Sequence, residues 1–156
     1  MEQKKILFVC LGNICRSPSA EAIMKKMVLD KGLQNDFCID SAGILGIHEG
    51  QLPDSRMRAH GKRRNYDLNS RSRAVVYQDF FDFDLIIGMD DNNIEALEQK
   101  APDLESKKKI RRMSEYCSKH SCDHIPDPYY GGAQGFELVL DLLEDACQGL
   151  LESTKI

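Results

Sequence analysis

Residues 4–17 read Lys4-Lys5-Ile6-Leu7-Phe8-Val9-Cys10-Leu11-Gly12-Asn13-Ile14-Cys15-Arg16-Ser17. A short apolar run, bounded by lysines and ended by a Gly-Asn turn, predicts a buried strand from Lys4 to Cys10. Ser17 is the candidate N-cap of the helix that follows, with Pro18 at its first helical position. Ala20, Ile23, Met24 and Met27 then recur at helical spacing, and Lys31-Gly32 closes the segment. Strand, turn and helix follow one another with no linker.

The same alternation continues. Phe37 to Asp40 reads as a second strand entering a Ser41-Ala42-Gly43 turn, and Pro53 to about Arg64 has helical character with a strongly basic composition. Leu85-Ile86-Ile87-Gly88-Met89 is a third strand, and Asp90-Asp91 opens a helix carrying Ile94, Leu97 and Ala101. A short fourth strand is expected near Ile110. Phe136, Val139, Leu140, Leu143, Cys147 and Leu150 mark one face of a long amphipathic helix. Strands alternating with helices imply an α/β fold with a parallel sheet and right-handed crossovers. In such sheets ligands sit beyond the carboxyl ends of the strands, where Cys10–Ser17, Ser41 and Asp90 should gather.

Bulk properties narrow the function. At 156 residues the chain is expected to form a single domain over 1–156. With 42% hydrophobic and 29% charged residues its composition is that of a globular protein. The net charge of −4 argues against a nucleic-acid-binding role. No apolar run reaches transmembrane length, and Met1 to Lys5 leads into a strand with no secretory segment, so no membrane role and a cytoplasmic location are expected. Six cysteines without an export signal then read as thiols.

The turn itself carries chemistry. Successive N–H groups and a helix N-terminus make a strand-turn-helix junction an anion cradle. Gly12 lets the backbone curl, Asn13 tolerates a left-handed conformation, and Arg16 supplies a planar fork matched to two phosphate oxygens. These groups favour the thiolate of Cys10, and Ser17 is placed to donate a hydrogen bond to that sulfur. The arrangement suits attack on phosphorus from beneath a bound dianion. No Gly-Lys-Ser/Thr closes the turn, so it is not a nucleotide-binding P-loop. Cys15 reads either as loop packing or as a resolving thiol for an oxidised Cys10.

Cys10-Leu11-Gly12-Asn13-Ile14-Cys15-Arg16-Ser17 resembles the active-site loop of the low-molecular-weight protein tyrosine phosphatases. Asp127-Pro128-Tyr129-Tyr130 resembles that family's general-acid segment, and Asp40-Ser41-Ala42-Gly43, Pro53-Asp54 and Met89-Asp90 fall where it has similar turns. The resemblance implies a three-layer α/β fold, a four-stranded parallel sheet flanked by helices, and two-step hydrolysis of phosphotyrosine proteins or small aryl phosphates without metal or other cofactor. Cys10 would be the nucleophile, Arg16 and the loop amides of Leu11 to Ser17 the phosphate site, and Asp127 the acid and then the base. Ser41 and Ser17 would hold Asn13. Tyr129 and Tyr130 would form the rim with Ile47 and His48, which stand where the family often has an aromatic residue. Ser70 stands where it often has a histidine that braces the asparagine. A monomer or weak homodimer is expected.

Rival readings leave distinct marks. An arsenate reductase with this loop needs further cysteines near the end of the third strand, and there is none between Cys38 and Cys117. A protein arginine phosphatase has a threonine at the fifth loop position, which is Ile14 here. A phosphoprotein-binding module would need neither nucleophile nor acid. Cys117, His120, Cys122 and His124 do not have the spacing of common zinc modules and read as loop residues. Arg56, Arg58, Lys62, Arg63 and Arg64 read as a solvated helix face, as do Lys107-Lys108-Lys109 and Arg111-Arg112.

Overall fold

The computed structural model describes residues 3–129 and 131–154. Strands β1 (Lys4–Cys10), β2 (Phe37–Gly43), β3 (Leu85–Gly88) and β4 (Ile110–Arg112) form one sheet in the order β2-β1-β3-β4, with every pairing parallel. Successive β1 side chains point to opposite faces. Ile6, Phe8 and Cys10 enter one apolar cluster, and Leu7 and Val9 enter the other. Covering on both faces is why the β1 run shows no polar alternation.

The helices are α1 (Arg16–Asp30), α2 (Ser55–Arg63), α3 (Asp79–Asp82), α4 (Asp91–Lys100), α5 (Leu104–Lys108) and α6 (Ala133–Ser153). Met24 of α1, Met57 of α2 and Phe136 of α6 pack on the first face, and Phe80 of α3 and Leu97 of α4 on the second. The sheet is thus the middle of three layers. All six α6 residues expected on one face are buried.

Three local differences from expectation have physical causes. Helix α1 begins at Arg16 with Cys15 as its N-cap, so Ser17 and Pro18 lie inside its first turn. Pro18 has no N–H to offer the Ile14 carbonyl, which instead accepts the Asp54 N–H at 2.8 Å and ties the entry of α2 to the loop. Strand β2 continues through Ser41-Ala42-Gly43, because these residues stay paired with Phe8, Val9 and Cys10 of β1, and Gly43 also bonds the Arg73 carbonyl and the Val75 N–H on its other edge. Helices α3 and α5 are too short to leave a periodic signature.

Candidate active site

The Cys10–Ser17 loop leaves the C-terminal end of β1 beside the crevice between β1 and β3, where the strand order reverses direction. Asn13 makes the left-handed turn, with φ 58°. Gly12 lies close under His48: a Cβ there would stand 3.0 Å from His48 Cδ2, so that ring would have to shift. A Cβ on Gly43 would stand 3.1 Å from the Asn13 nitrogen, so the end of β2 presses against the loop from behind.

A buried polar network holds that turn. Asn13 Nδ2 donates to Ser17 Oγ at 2.7 Å and to Ser41 Oγ at 3.0 Å. Ser41 donates onward to Glu21 Oε1 at 2.5 Å, and Asn13 Oδ1 accepts from the Arg73 N–H at 3.1 Å. Ser72 Oγ donates to the Gly12 carbonyl at 3.0 Å. Bracing from the 70–75 segment therefore comes from Ser72 and the Arg73 backbone, two and three residues beyond Ser70. Among the described residues no buried side-chain oxygen or nitrogen lacks a partner, so the network is fully satisfied and rigid.

Cys10 Sγ lies 3.1 Å from Ser17 Oγ and accepts from the Ser17 N–H at 3.4 Å. Ser17 Oγ already accepts from Asn13, so its own proton goes to Cys10 Sγ or to the Ala42 carbonyl 3.4 Å away. Among the described residues no acceptor meets the N–H groups of Gly12 to Cys15. These donors are free for an anion above the sulfur. Burial, followed by the Asp54 carboxylate, pushes the Cys15 thiol well above the ordinary range, so Cys15 is protonated at neutral pH.

Arg16 is buried under the same cavity. Its Nη1 donates to Asp90 Oδ2 at 2.6 Å and to the Ile125 carbonyl at 3.0 Å, and Nη2 lies 3.7 Å from Asp127 Oδ2. Burial opposes the guanidinium charge, but the Cys10 sulfur and the Asp90 and Asp127 carboxylates outweigh it and raise its pKa. Asp127 is half-exposed and accepts the Tyr129 N–H at 3.0 Å. Arg56 Nη2 donates to the Tyr129 carbonyl at 3.0 Å and to Asp54, with its guanidinium over the Tyr129 and Phe136 rings.

Cys10, Leu11, Gly12, Ile14, Cys15, Arg16, Ile47, His48, Asp127 and Tyr129 line one cavity of about 260 Å³. Asn13, Ser17 and Ser41 stand behind the loop, and Tyr130 lies outside the described residues. A larger pocket of about 400 Å³ beside Lys31, Phe37 and Leu151 has neither a nucleophile nor an anion cradle. Sequence reasoning overlooked Glu21, Ser72, Arg73 and the role of Asp90 as the partner of Arg16. A charged residue on the otherwise buried start of α1 was the available signal for Glu21.

The other motifs are dispersed. His120 Nδ1 pairs with Asp145 at 3.2 Å and His124 Nδ1 with Asp123 at 2.6 Å, while Cys117 and Cys122 face each other. The basic α2 stretch is not simply solvated: Arg64 ion-pairs with Glu137, Asp141 and Glu144 of α6.

A family model described as low molecular weight phosphotyrosine protein phosphatase matches residues 5–156. A low molecular weight phosphotyrosine protein phosphatase of Gallus gallus is 39% identical over 152 residues, covering 97% of this chain and 96% of that one. A solved protein tyrosine phosphatase of Entamoeba histolytica, with Hepes in its active site, superposes with a TM-score of 0.94 at 49% identity, over 99% of this chain and 100% of that one. A Drosophila arginine phosphatase superposes with a TM-score of 0.90 at 35% identity, over 97% and 98% of the two chains.

Proposed function

The chain belongs to the low molecular weight phosphotyrosine protein phosphatase family, and from that premise we propose that it hydrolyses phosphotyrosine in proteins, and small aryl phosphates, through a phosphocysteine on Cys10. The dianion rests on the N–H groups of the Cys10–Ser17 loop and the N-terminus of α1, with the Arg16 fork on its equatorial oxygens. Cys10 Sγ attacks phosphorus in line, and Asp127 protonates the departing phenolate oxygen. The resulting Asp127 carboxylate then takes a proton from water as it attacks the phosphocysteine. Ser17 donates a hydrogen bond to the sulfur as it leaves as the thiolate. No step uses a metal or other cofactor.

The observation that carries this reading is the convergence of Cys10, Arg16 and Asp127 on one cavity floored by unpaired loop amides. Binding alone needs neither the sulfur nor a carboxylate held 3.7 Å from the arginine. Tyr129, Ile47 and His48 supply the walls against which an aromatic ring rests. The chain acts in the cytoplasm as a monomer or weak homodimer, without nucleic-acid or membrane partners. Its net charge of −4 supports the first exclusion. Among the described residues no helix is long and apolar enough to cross a membrane.

Likeness to the Drosophila arginine phosphatase favours a second reading, phosphoarginine. Ile14, with no hydroxyl to meet a guanidinium, stands against it and suits an aryl ester. Phosphate release from a phosphotyrosine and a phosphoarginine peptide, by wild type and Cys10→Ser in parallel, separates the two. Cys10-dependent release from phosphotyrosine is the expected outcome. Release mainly from phosphoarginine keeps the chemistry and overturns the substrate, and near-normal turnover by Cys10→Ser removes the nucleophile.

A further inference from the structure

Two thiols outside the cavity face each other. Cys117 ends the 3-10 turn Met113–Tyr116, and the Sγ–H of Cys122 points at Cys117 Sγ across 3.4 Å. Both residues are half-buried, and those flanking Cys122 are exposed. Between them the N–H groups of Ser118, Lys119 and His120 all donate to the Asp145 carboxylate of α6, at 2.8 to 3.2 Å. The backbone is thereby wrapped into a hoop whose two ends bring sulfur against sulfur. A thiol is a weak donor and a weak acceptor, so this contact adds little to stability as it stands. A disulfide, with an S–S length of about 2.05 Å, asks only a small further approach of the two sulfurs.

We propose that Cys117 and Cys122 are a second oxidisable dithiol, separate from the Cys10–Cys15 loop, which closes to a disulfide by exchange with a low-molecular-weight disulfide. Burial pushes the Cys117 thiol up, and Cys122 sits between two exposed residues where RSSR can reach it, so exchange begins at Cys122. The Cys122 thiolate attacks one sulfur of RSSR, forms a mixed disulfide and releases RS⁻, which takes up the proton that Cys122 lost. Cys117 then gives up its proton and attacks the Cys122 sulfur, and the second RS⁻ leaves as RSH. The two cysteines are oxidised by two electrons and RSSR is reduced to two thiols. The bond fastens the segment that leads to Ile125, whose N–H bonds the Met89 carbonyl at 2.8 Å and whose carbonyl receives Arg16.

The test incubates the full chain with oxidised or reduced glutathione, alkylates the remaining thiols and digests with trypsin without reduction. Trypsin leaves Cys117 on residues 113–119 and both Cys122 and Cys147 on residues 120–155, so fragmentation of the joined pair is used to tell a Cys117–Cys122 bond from a Cys117–Cys147 bond. Mass spectrometry should find that joined pair in the oxidised sample, and in Cys10→Ser treated alike, but not in Cys122→Ser. The oxidised wild type should also unfold roughly 5 °C higher than the reduced protein, as closing a short loop predicts. A glutathione adduct that persists on Cys122 without closure overturns the proposal. So does a Cys117–Cys147 bond, or full alkylation of Cys117 and Cys122 while Cys10 and Cys15 are oxidised.

Discussion

Asp90 and Asp127 both approach Arg16, yet their surroundings assign them different work. Asp90 is the closer, at 2.6 Å, and as N-cap of α4 it also accepts the Asn93 N–H, so it is a fixed orienting group. Asp90→Ala should leave the guanidinium held less firmly, by the Ile125 carbonyl and Asp127, and lower kcat/KM on an aryl phosphate by about ten- to a hundredfold. Steady-state kinetics beside thermal unfolding check this; a fall in stability with unchanged kinetics would remove the orienting role. Asp127 is half-exposed and lines the cavity, the place that the proposed mechanism gives to its acid. Asp127→Ala should lower kcat by roughly 10²–10⁴-fold with poor leaving groups and far less with good ones. A series of substituted phenyl phosphates gives the dependence, and equal losses across the series would reject Asp127 as the acid.

The segment 117–125 shows what an element can be held by when it has no regular structure. Asp145 accepts three successive N–H groups there, and although burial opposes its charge, those bonds from Ser118, His120 and Lys119 hold its carboxyl well below the usual range. A carboxyl depressed in the folded state stabilises fully above its unfolded value, about 3.9, and the contribution disappears as pH falls through the folded value. Asp145→Asn should therefore cost about 2 kcal/mol near neutral pH. The gap to wild type should close as pH falls from about 5 towards 2, as read by denaturant titration at each pH. A gap independent of pH would mean that shape, rather than charge, is what the loop needs. Strand β1 was legible as one unbroken apolar run, and helix α6 by the apolar spacing that repeats along it. The anchoring of 117–120 was not, because Asp145 is 25 to 27 residues away and meets it only after α6 packs.

Across the whole molecule, α2 and α6 are joined by charge as well as by Met57 and Phe136. Arg64, just past α2, reaches Glu137, Asp141 and Glu144, three carboxylates on one face of α6. His60 stacks on Phe136 with centroids 5.3 Å apart and pairs with Glu137 at 2.5 Å. Phe136 also lies under the Arg56 guanidinium, whose Nη2 donates to the Tyr129 carbonyl. Arg64→Ala should lower stability by about 1 kcal/mol at low salt, with the difference shrinking in 1 M NaCl. Thermal midpoints at two ionic strengths measure it, and a difference unmoved by salt would assign the effect to packing.

What the chain order alone determined is whatever sits within one strand or one turn: the buried β1 run, the Gly-Asn bend, the thiol six residues before an arginine, and the apolar stripe of α6. Apolar spacing and backbone preference act over a few residues, so they leave a readable local trace. The tertiary structure decided the partners. Ser41 reaches Asn13 across 28 residues, Arg73 across 60, Asp90 reaches Arg16 across 74 and Ile125 across 109. Parallel pairing and helical crossovers bring these groups to one sheet edge, and no local periodicity encodes which hydroxyl or carboxylate will be waiting there.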